Sequence, residues 1–118
     1  MDIPLSVQEQ KRIVGILKGI KFEDLEIHPH YFNKYGQPRH GISLDKAKEI
    51  YNQFNKINGI IKRKKGQYLT HAIIYDLSKK GRYFLIFALE PKPKLLLSAY
   101  RHSRNSERRL LRRYGLRF

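Results

Sequence analysis

The sequence predicts an α+β domain in which two N-terminal helices pack on one face of an antiparallel β-meander of three to four strands, followed by a short basic C-terminal helix. Two patterns predict this fold. Apolar residues recur at helical spacing up to about residue 57, and alternating runs divided by turn residues follow. A chain of 118 residues suffices for one hydrophobic core. We therefore expect residues 1–118 to form a single domain.

Each predicted helix begins at a serine that can accept a hydrogen bond from the first turn. Ser6 and Glu9 have the spacing of a capping box, and the apolar residues that follow predict a first helix from about residue 7 to residue 20. Ser43 precedes a second apolar stripe, which predicts a helix that ends near Asn58. This stripe consists of Ala47, Ile50, Tyr51, Phe54 and Ile57.

Strand patterns occupy most of the second half of the chain. They predict a short strand or arm after Gly59, long strands at about 67–77 and 82–90, and a further strand at 95–102. The stretches SKKG and PKPK between the later strands are expected to turn the chain. A basic segment from about Ser106 to Tyr114 predicts the C-terminal helix, which Gly115 would end.

Pairing Leu77 with Arg82 and Glu90 with Lys94 assigns each strand residue to one face of the sheet. The expected core face contains Thr70, Ala72, Ile74, Tyr83, Leu85, Phe87, Leu89, Leu95, Leu97 and Ala99. The expected opposite face contains His71, Ile73, Tyr75, Arg82, Phe84, Ile86, Ala88, Leu96, Ser98, Tyr100 and His102. The second set combines aromatic, hydrogen-bonding and cationic side chains, and we expect nucleic acid to bind there.

The charge of the chain indicates a polyanionic partner. Lys and Arg number 25 against 10 acidic residues, which gives a formal net charge of +15. The most basic stretch has too few apolar residues for a membrane-binding helix, so no membrane partner is expected. The absence of cysteine excludes disulfides, thiolate zinc sites and a cysteine nucleophile. Together with the lack of a signal peptide pattern, it favours a cytoplasmic protein.

The segment HPHYFNKYGQPRHGIS, residues 28–43, concentrates proton carriers and cations, and the chain has no carboxylate between Glu26 and Asp45. Such a segment is either basic surface, a phosphate-binding loop or a site of acid/base chemistry. Imidazole titrates near neutrality, so a histidine here can exchange a proton with a ribose hydroxyl. His30 is the first candidate and His28 its competitor, with Lys34 and Arg39 holding the phosphate.

Further candidates come from the predicted sheet and from two cation runs, at 62–65 and 101–117. The residues expected to take part in catalysis are His30, His28, His71, Ser98 and Tyr100. The residues expected to bind nucleic acid or phosphate are Lys34, Arg39, Lys64, Lys65, Arg82, Arg101, His102, Arg108, Arg109 and Arg112.

A metal-dependent reading has two sources in the sequence. HPH resembles the histidine pairs of metal-dependent nicking endonucleases, but proline is a poor central residue for a strand. Asp76 with Glu90 and Lys92 imitates the signature of restriction-like nucleases. In a simple hairpin, however, Asp76 and Glu90 lie at opposite ends of a strand. We therefore expect neither a metal site nor another cofactor.

The segments RHGISLDKAKEI and LLLSAY, with the histidine ahead of them, resemble the metal-independent ribonucleases grouped around barnase, EndoU, the colicin ribonucleases and RelE-like toxins, in particular their phage-derived and toxin-like relatives. His28 or His30 matches the family's histidine. The helix-start motif is matched by Arg39, Gly41, Ile42 and Ser43, and the strand motif by Ser98, Ala99 and Tyr100, with serine in place of threonine. The basic segment after the last strand departs from the family pattern.

This resemblance implies a metal-independent endoribonuclease, toxin-like, that cleaves RNA through its 2′-hydroxyl group. The expected partner is RNA rather than DNA, with an acidic antitoxin or inhibitor protein as a further partner. The alternative is a non-catalytic module that binds RNA or DNA with the same sheet face. A third hypothesis is a metal-dependent DNA nuclease that uses Asp76, Glu90 and Lys92.

Overall fold

The computed structural model describes residues 2–29, 31, 42–65, 68–77 and 81–102. In chain order, these residues form β1 (Asp2–Pro4), α1 (Val7–Lys18), a 3₁₀ turn (Phe22–Asp24), β2 (Glu26–Ile27), α2 (Leu44–Tyr51), a second 3₁₀ turn (Phe54–Lys56), β3 (Ile57–Lys65), β4 (Tyr68–Asp76), β5 (Arg82–Ala88) and β6 (Leu95–His102). The architecture is α+β, as the sequence predicts. The predicted C-terminal helix, at about 106–114, lies outside the described residues.

Both helices begin at the predicted serines. The Ser6 side chain accepts a hydrogen bond from the Glu9 N–H group at 3.2 Å, and the Ser43 side chain accepts one from the Lys46 N–H group at 3.2 Å. α2 ends at Tyr51, however, so the predicted end near residue 58 is wrong. Gln53 leaves the helical region with φ −91° and ψ 58°, and a single 3₁₀ turn then leads into β3.

The sheet contains six strands in the order β1-β3-β4-β5-β6-β2. β3 to β6 form the antiparallel meander that the alternating patterns predict. The predicted count of three to four strands is too low, because β1 adds antiparallel to β3 and β2 adds parallel to β6. These two edge strands span only Asp2–Pro4 and Glu26–Ile27, which is too short to show an alternating pattern.

The predicted register holds for most of the β5–β6 pair and fails for β4–β5. Ser98 pairs with Ile86 as expected. A bulge then follows Ile86, so that Phe87 pairs with Leu96 instead of Leu97. In the other hairpin Arg82 pairs with Asp76 rather than with Leu77. The Leu77 N–H group donates to the Gly81 carbonyl at 2.9 Å, and Gly81 takes φ +99°, so the register is shifted by one residue from the assumed pairing.

This one-residue shift exchanges the two faces of β4. Residues of α1 and α2 form one buried cluster with alternate strand residues, and we call their side of the sheet the helix-packed face. The strand residues of this cluster are Ile60, Ile73, Tyr75, Tyr83, Leu85, Phe87, Leu96 and Ala99. The opposite side, the far face, carries two smaller clusters: Ile61, Ile74 and Phe84, and Ala88, Leu95 and Leu97. The prediction that Thr70, Ala72, Ile74, Leu95 and Leu97 share a face with Tyr83, Leu85 and Phe87 is therefore wrong, because these five residues belong to the far face.

Tyr51 joins both helices to the sheet. Its hydroxyl lies 2.8 Å from the carbonyl oxygens of Leu17 and Ile20, and its own carbonyl accepts the Tyr75 hydroxyl at 3.2 Å. Its ring contacts Phe87 at a centroid distance of 5.8 Å. Burial raises the pKa of Tyr51 to about 12, so the hydroxyl keeps its proton and remains a donor.

A hydrophobic span long enough to cross a bilayer is not found in any helix of the described ranges.

Candidate nucleic-acid interface

Polar residues of β6 alternate onto the far face. Ser98 pairs with Ile86, Tyr100 with Phe84, and the backbone of His102 with Arg82. The bulge brings Leu97 to the same side, where it clusters with Ile86 and Ala88. The expectation that Arg82, Ser98 and Tyr100 belong to one face is therefore correct.

The centre of this surface is aromatic. The rings of Phe84 and Tyr100 lie 5.3 Å apart at an interplanar angle of 42°. Phe84 is 6% exposed and packs with Ile61 and Ile74, whereas Tyr100 is half-buried. A nucleic-acid base can therefore stack on the ring of Tyr100, whereas the ring of Phe84 is buried beside it.

A charged pair stands next to the aromatic pair. Arg82 Nε lies 3.7 Å from Asp76 Oδ2, and both side chains are partly exposed. Such a pair contributes at most about 1 kcal/mol to stability, since solvent screens it. Arg82 also lies opposite His102 in the β5–β6 ladder, and its partly exposed guanidinium group can bind a phosphate.

Ser98 is buried, with an exposure of only 3%, and its Oγ has no hydrogen-bond partner within the described part of the chain. A buried hydroxyl without a partner costs about 1–3 kcal/mol. Such a group is uncommon in folded proteins. Ser98 is two residues before Tyr100 in β6, so the two side chains lie on the same face of the sheet.

The histidine segment begins at the edge of this surface. β2 pairs with β6 through Ile27 and Leu96, and the His28 N–H group donates to the Leu96 carbonyl at 3.0 Å. Tyr31 is buried, and its hydroxyl donates to the carbonyl of Ile42, just before the Ser43 cap. These contacts anchor both ends of the segment to the sheet and to α2.

His71 lies on the helix-packed face, so the expectation that it shares a face with Ser98 and Tyr100 is wrong. The cause is the one-residue shift of the β4–β5 register. His71 is 6% exposed, and its Nδ1 atom has no partner among the described residues. Burial lowers the pKa of His71, and the cations Lys62 and Arg12 lower it further.

The lowered pKa of His71 predicts a loss of stability in mild acid. The unfolded chain takes up the proton at its ordinary pKa of 6.5, before the folded chain does, so stability falls as the pH drops below about 6.5. We expect His71→Gln to reduce the difference in unfolding free energy between about pH 7.5 and pH 5. Urea unfolding at both pH values tests this, and an equal pH dependence in both proteins would contradict it.

Arg101 alternates away from Ser98 and Tyr100. It pairs with Tyr83 on the helix-packed side. Its side chain packs closely against Gly81, where an added Cβ atom would lie only 3.1 Å from Arg101 Nε. There Lys46 lies 5.8 Å from the centroid of the Tyr83 ring. Arg101 is exposed, so it remains available to a polyanion, though at the far end of the sheet from the bulge.

Several predicted residues lie outside the described part of the chain: His30, Lys34, Arg39, Arg108, Arg109 and Arg112. Lys65 and His102 are described through their backbone pairing alone. Lys64 is exposed on β3.

The metal-dependent alternative gains no support from the sheet. Asp76 pairs with Arg82 at the start of β5, whereas Glu90 and Lys92 follow the end of that strand. The strand alone spans about 20 Å between Arg82 and Ala88. Within the described ranges, no group of three or more His, Asp or Glu residues is placed to hold a metal ion.

Sequence reasoning missed three features of this region: the Asp76–Arg82 pair, the anchoring role of Tyr31 and the edge strand β2. The Asp76–Arg82 pair has a weak signal in the sequence, because an acidic residue and an arginine stand six positions apart across a predicted turn. Leu25 and Ile27 alternate for too short a stretch to predict the edge strand.

Comparisons with protein-family models, with curated proteins and with solved structures find no match for this chain. The function of this chain is therefore inferred from its own residues.

Proposed function

We propose that this protein is a metal-independent endoribonuclease whose site combines the far face of β5 and β6 with the histidine segment. One observation carries the proposal. The hydrogen bond from the His28 N–H group to the Leu96 carbonyl brings the start of that segment next to the strand that bears Ser98 and Tyr100. The backbone of His28 therefore lies beside β6, although the two are far apart in the sequence.

In the proposed reaction, the 2′-hydroxyl of RNA attacks the adjacent phosphorus and expels the 5′-oxygen of the next nucleotide. His30, or His28 in its place, takes the proton of the 2′-hydroxyl, and the departing 5′-oxygen receives a proton from the other histidine or from water. Arg82, with Lys34 and Arg39, stabilises the charge that develops on the phosphate. Tyr100, which is partly exposed, stacks on a base, whereas the buried Ser98 hydroxyl makes no direct contact with the substrate. The first product is a 2′,3′-cyclic phosphate.

The wider assignment belongs to the same proposal. It includes membership of the ribonuclease superfamily of barnase, EndoU, colicin ribonucleases and RelE-like toxins, with both helices on one sheet face and a short basic C-terminal helix. A cysteine-free, strongly basic chain suits a cytoplasmic enzyme that an acidic inhibitor protein would neutralise.

A non-catalytic nucleic-acid-binding module would use the same cations and Tyr100, but it would not need a histidine segment that begins beside β6. A metal-dependent DNA nuclease would need Asp76 and Glu90 on neighbouring positions, which the strand register opposes. Each alternative therefore predicts a different result from that of the ribonuclease when the protein is incubated with the same nucleic acids.

The test is incubation of purified protein with RNA, with the same RNA carrying 2′-O-methyl groups, and with DNA of the same sequence. We expect cleavage of unmodified RNA alone, unchanged by excess EDTA, with 2′,3′-cyclic phosphate or 3′-phosphate ends. Binding without cleavage would favour the non-catalytic module. Magnesium-dependent cutting of DNA, lost in Asp76→Ala or Glu90→Ala, would favour the metal enzyme.

A further inference from the structure

The far face of the sheet is buried, although the described helices pack on the other side. Its apolar residues form the two clusters described above, and every member of these clusters comes from β3 to β6. Both helices and both 3₁₀ turns contribute their buried apolar residues to the cluster of the helix-packed face instead. Within the described part of the chain, no helix or turn therefore supplies an apolar layer over the far face.

The exposure of the far-face side chains is that of a covered surface. Ile74 is 0% exposed, Phe84 6% and Leu97 8%. Neighbours on the same face surround a side chain laterally, but they leave its outer end in contact with water. Such low exposure of large side chains is typical of a sheet face that packs against a second layer. Because these exposures belong to one copy of the chain, the cover comes from the chain itself.

Only two segments outside the described ranges are long enough to form such a layer, residues 32–41 and residues 103–118. Segment 32–41 begins and ends at the helix-packed cluster, because Tyr31 belongs to that cluster and Ile42 packs against it. Segment 103–118 directly follows β6, whose last residue lies opposite Arg82 of the far face. The path of the chain therefore favours segment 103–118 as the cover.

The length and the residue pattern of segment 103–118 suit the far face. As a helix it would span about 24 Å, and the far face measures about 20 Å along β5 from Arg82 to Ala88. At helical spacing, Leu110, Leu111 and Tyr114 lie on one side. The opposite side carries Arg108, Arg109, Arg112 and Arg113. One side thus suits the apolar far face, and the other suits solvent or a polyanion.

We propose that residues 103–118 dock on the far face as a second layer, which their apolar side chains hold in place. RNA then reaches partly exposed side chains such as Tyr100 and Arg82, while Phe84 and Ser98 stay beneath the layer. The arginines of the layer face outward, where they add phosphate contacts. This inference goes beyond the proposed function, because the far face is buried whether the protein cleaves RNA or only binds it.

Thiol protection tests the layer, because the chain contains no cysteine and an introduced one gives the only signal. Ala88→Cys places a thiol on the far face, and Ala99→Cys places one on the helix-packed face; both alanines are buried. We expect both thiols to react slowly with a water-soluble disulfide reagent. Adding Leu110→Ser/Leu111→Ser should accelerate the reaction of the far-face thiol at least about tenfold and leave the other nearly unchanged, since only the far face is uncovered.

The matched control is Arg108→Ser/Arg112→Ser, which changes the opposite side of the same segment and should leave both thiols protected. Equal rates for the far-face thiol in the two double variants would overturn the inference. Rapid reaction of that thiol without any change in the segment would overturn it as well. Protection that is lost on dilution would assign the cover to a second copy of the chain, against the proposal.

A milder variant separates local uncovering from unfolding of the domain. If Leu110→Ser/Leu111→Ser exposes both thiols, the whole domain has unfolded, and Leu111→Ala then makes the same comparison. Faster reaction of the far-face thiol alone would support the layer in that variant. Equal acceleration of both thiols, or of neither, would overturn it.

Discussion

Replacing His30 by alanine is expected to lower the rate of RNA cleavage by about 10²- to 10⁴-fold, which is the usual contribution of a general acid or base. RNA affinity should stay within a few-fold of the parent, because the lost group acts on a proton in the transition state. His28→Ala is the companion variant, since either histidine of the HPH sequence suits the role. Single-turnover cleavage with excess enzyme measures the chemical step, and a filter-binding assay measures affinity.

A matched control is available in the same segment. His40→Ala removes a histidine between Arg39 and Gly41 that the proposed reaction does not use, and it should leave the rate nearly unchanged. Circular dichroism of all three variants checks that the fold is intact. If His28→Ala and His30→Ala both cleave at the parent rate, histidine acid/base chemistry in this segment is wrong.

The largest effect on stability is expected from Phe87→Ala, at about 3–5 kcal/mol. Phe87 is fully buried at the centre of the helix-packed face, where its ring contacts Tyr51. Alanine would leave a cavity between the sheet and the tyrosine that joins both helices. A loss of this size is a large fraction of the 5–15 kcal/mol that stabilises a typical domain.

The control for this prediction is Val7→Ala, because Val7 begins α1 and is 69% exposed. Its effect should stay within about 0.5 kcal/mol. Urea unfolding followed by circular dichroism measures both variants, since the chain contains no tryptophan. A loss below about 1 kcal/mol for Phe87→Ala would show that the helix-packed face is not the core described above.

The local features of the fold were predictable because they depend on neighbouring residues. The caps at Ser6 and Ser43 need only an acceptor side chain and the N–H group three residues later. β6 begins and ends at the predicted residues, since its alternating run is long and PKPK limits it. The premature end of α2 was not predictable from periodicity, because Phe54 and Ile57 continue the apolar stripe after the helix has ended.

The composition of the candidate site was predictable in part. The far-face positions of Arg82, Ser98 and Tyr100 followed from the β5–β6 register, which the sequence predicts correctly beside these residues. The position of His71 did not, since a shift of one residue in the β4–β5 register moves a whole strand to its other face. The burial of the Ser98 hydroxyl could not be predicted, because exposure depends on packing between segments that are distant in the sequence.

By itself, the sequence determined the α+β class, the helix starts, an antiparallel meander and the excess of positive charge, all of which depend on composition or on spacings within a single segment. Only the tertiary structure decided which residues share a face, that β1 and β2 complete the sheet, and that the histidine segment begins beside Leu96. These features depend on pairing between segments that are distant in the sequence. The backbone hydrogen bonds that create such pairing are common to all residue types, so no local pattern identifies the partners.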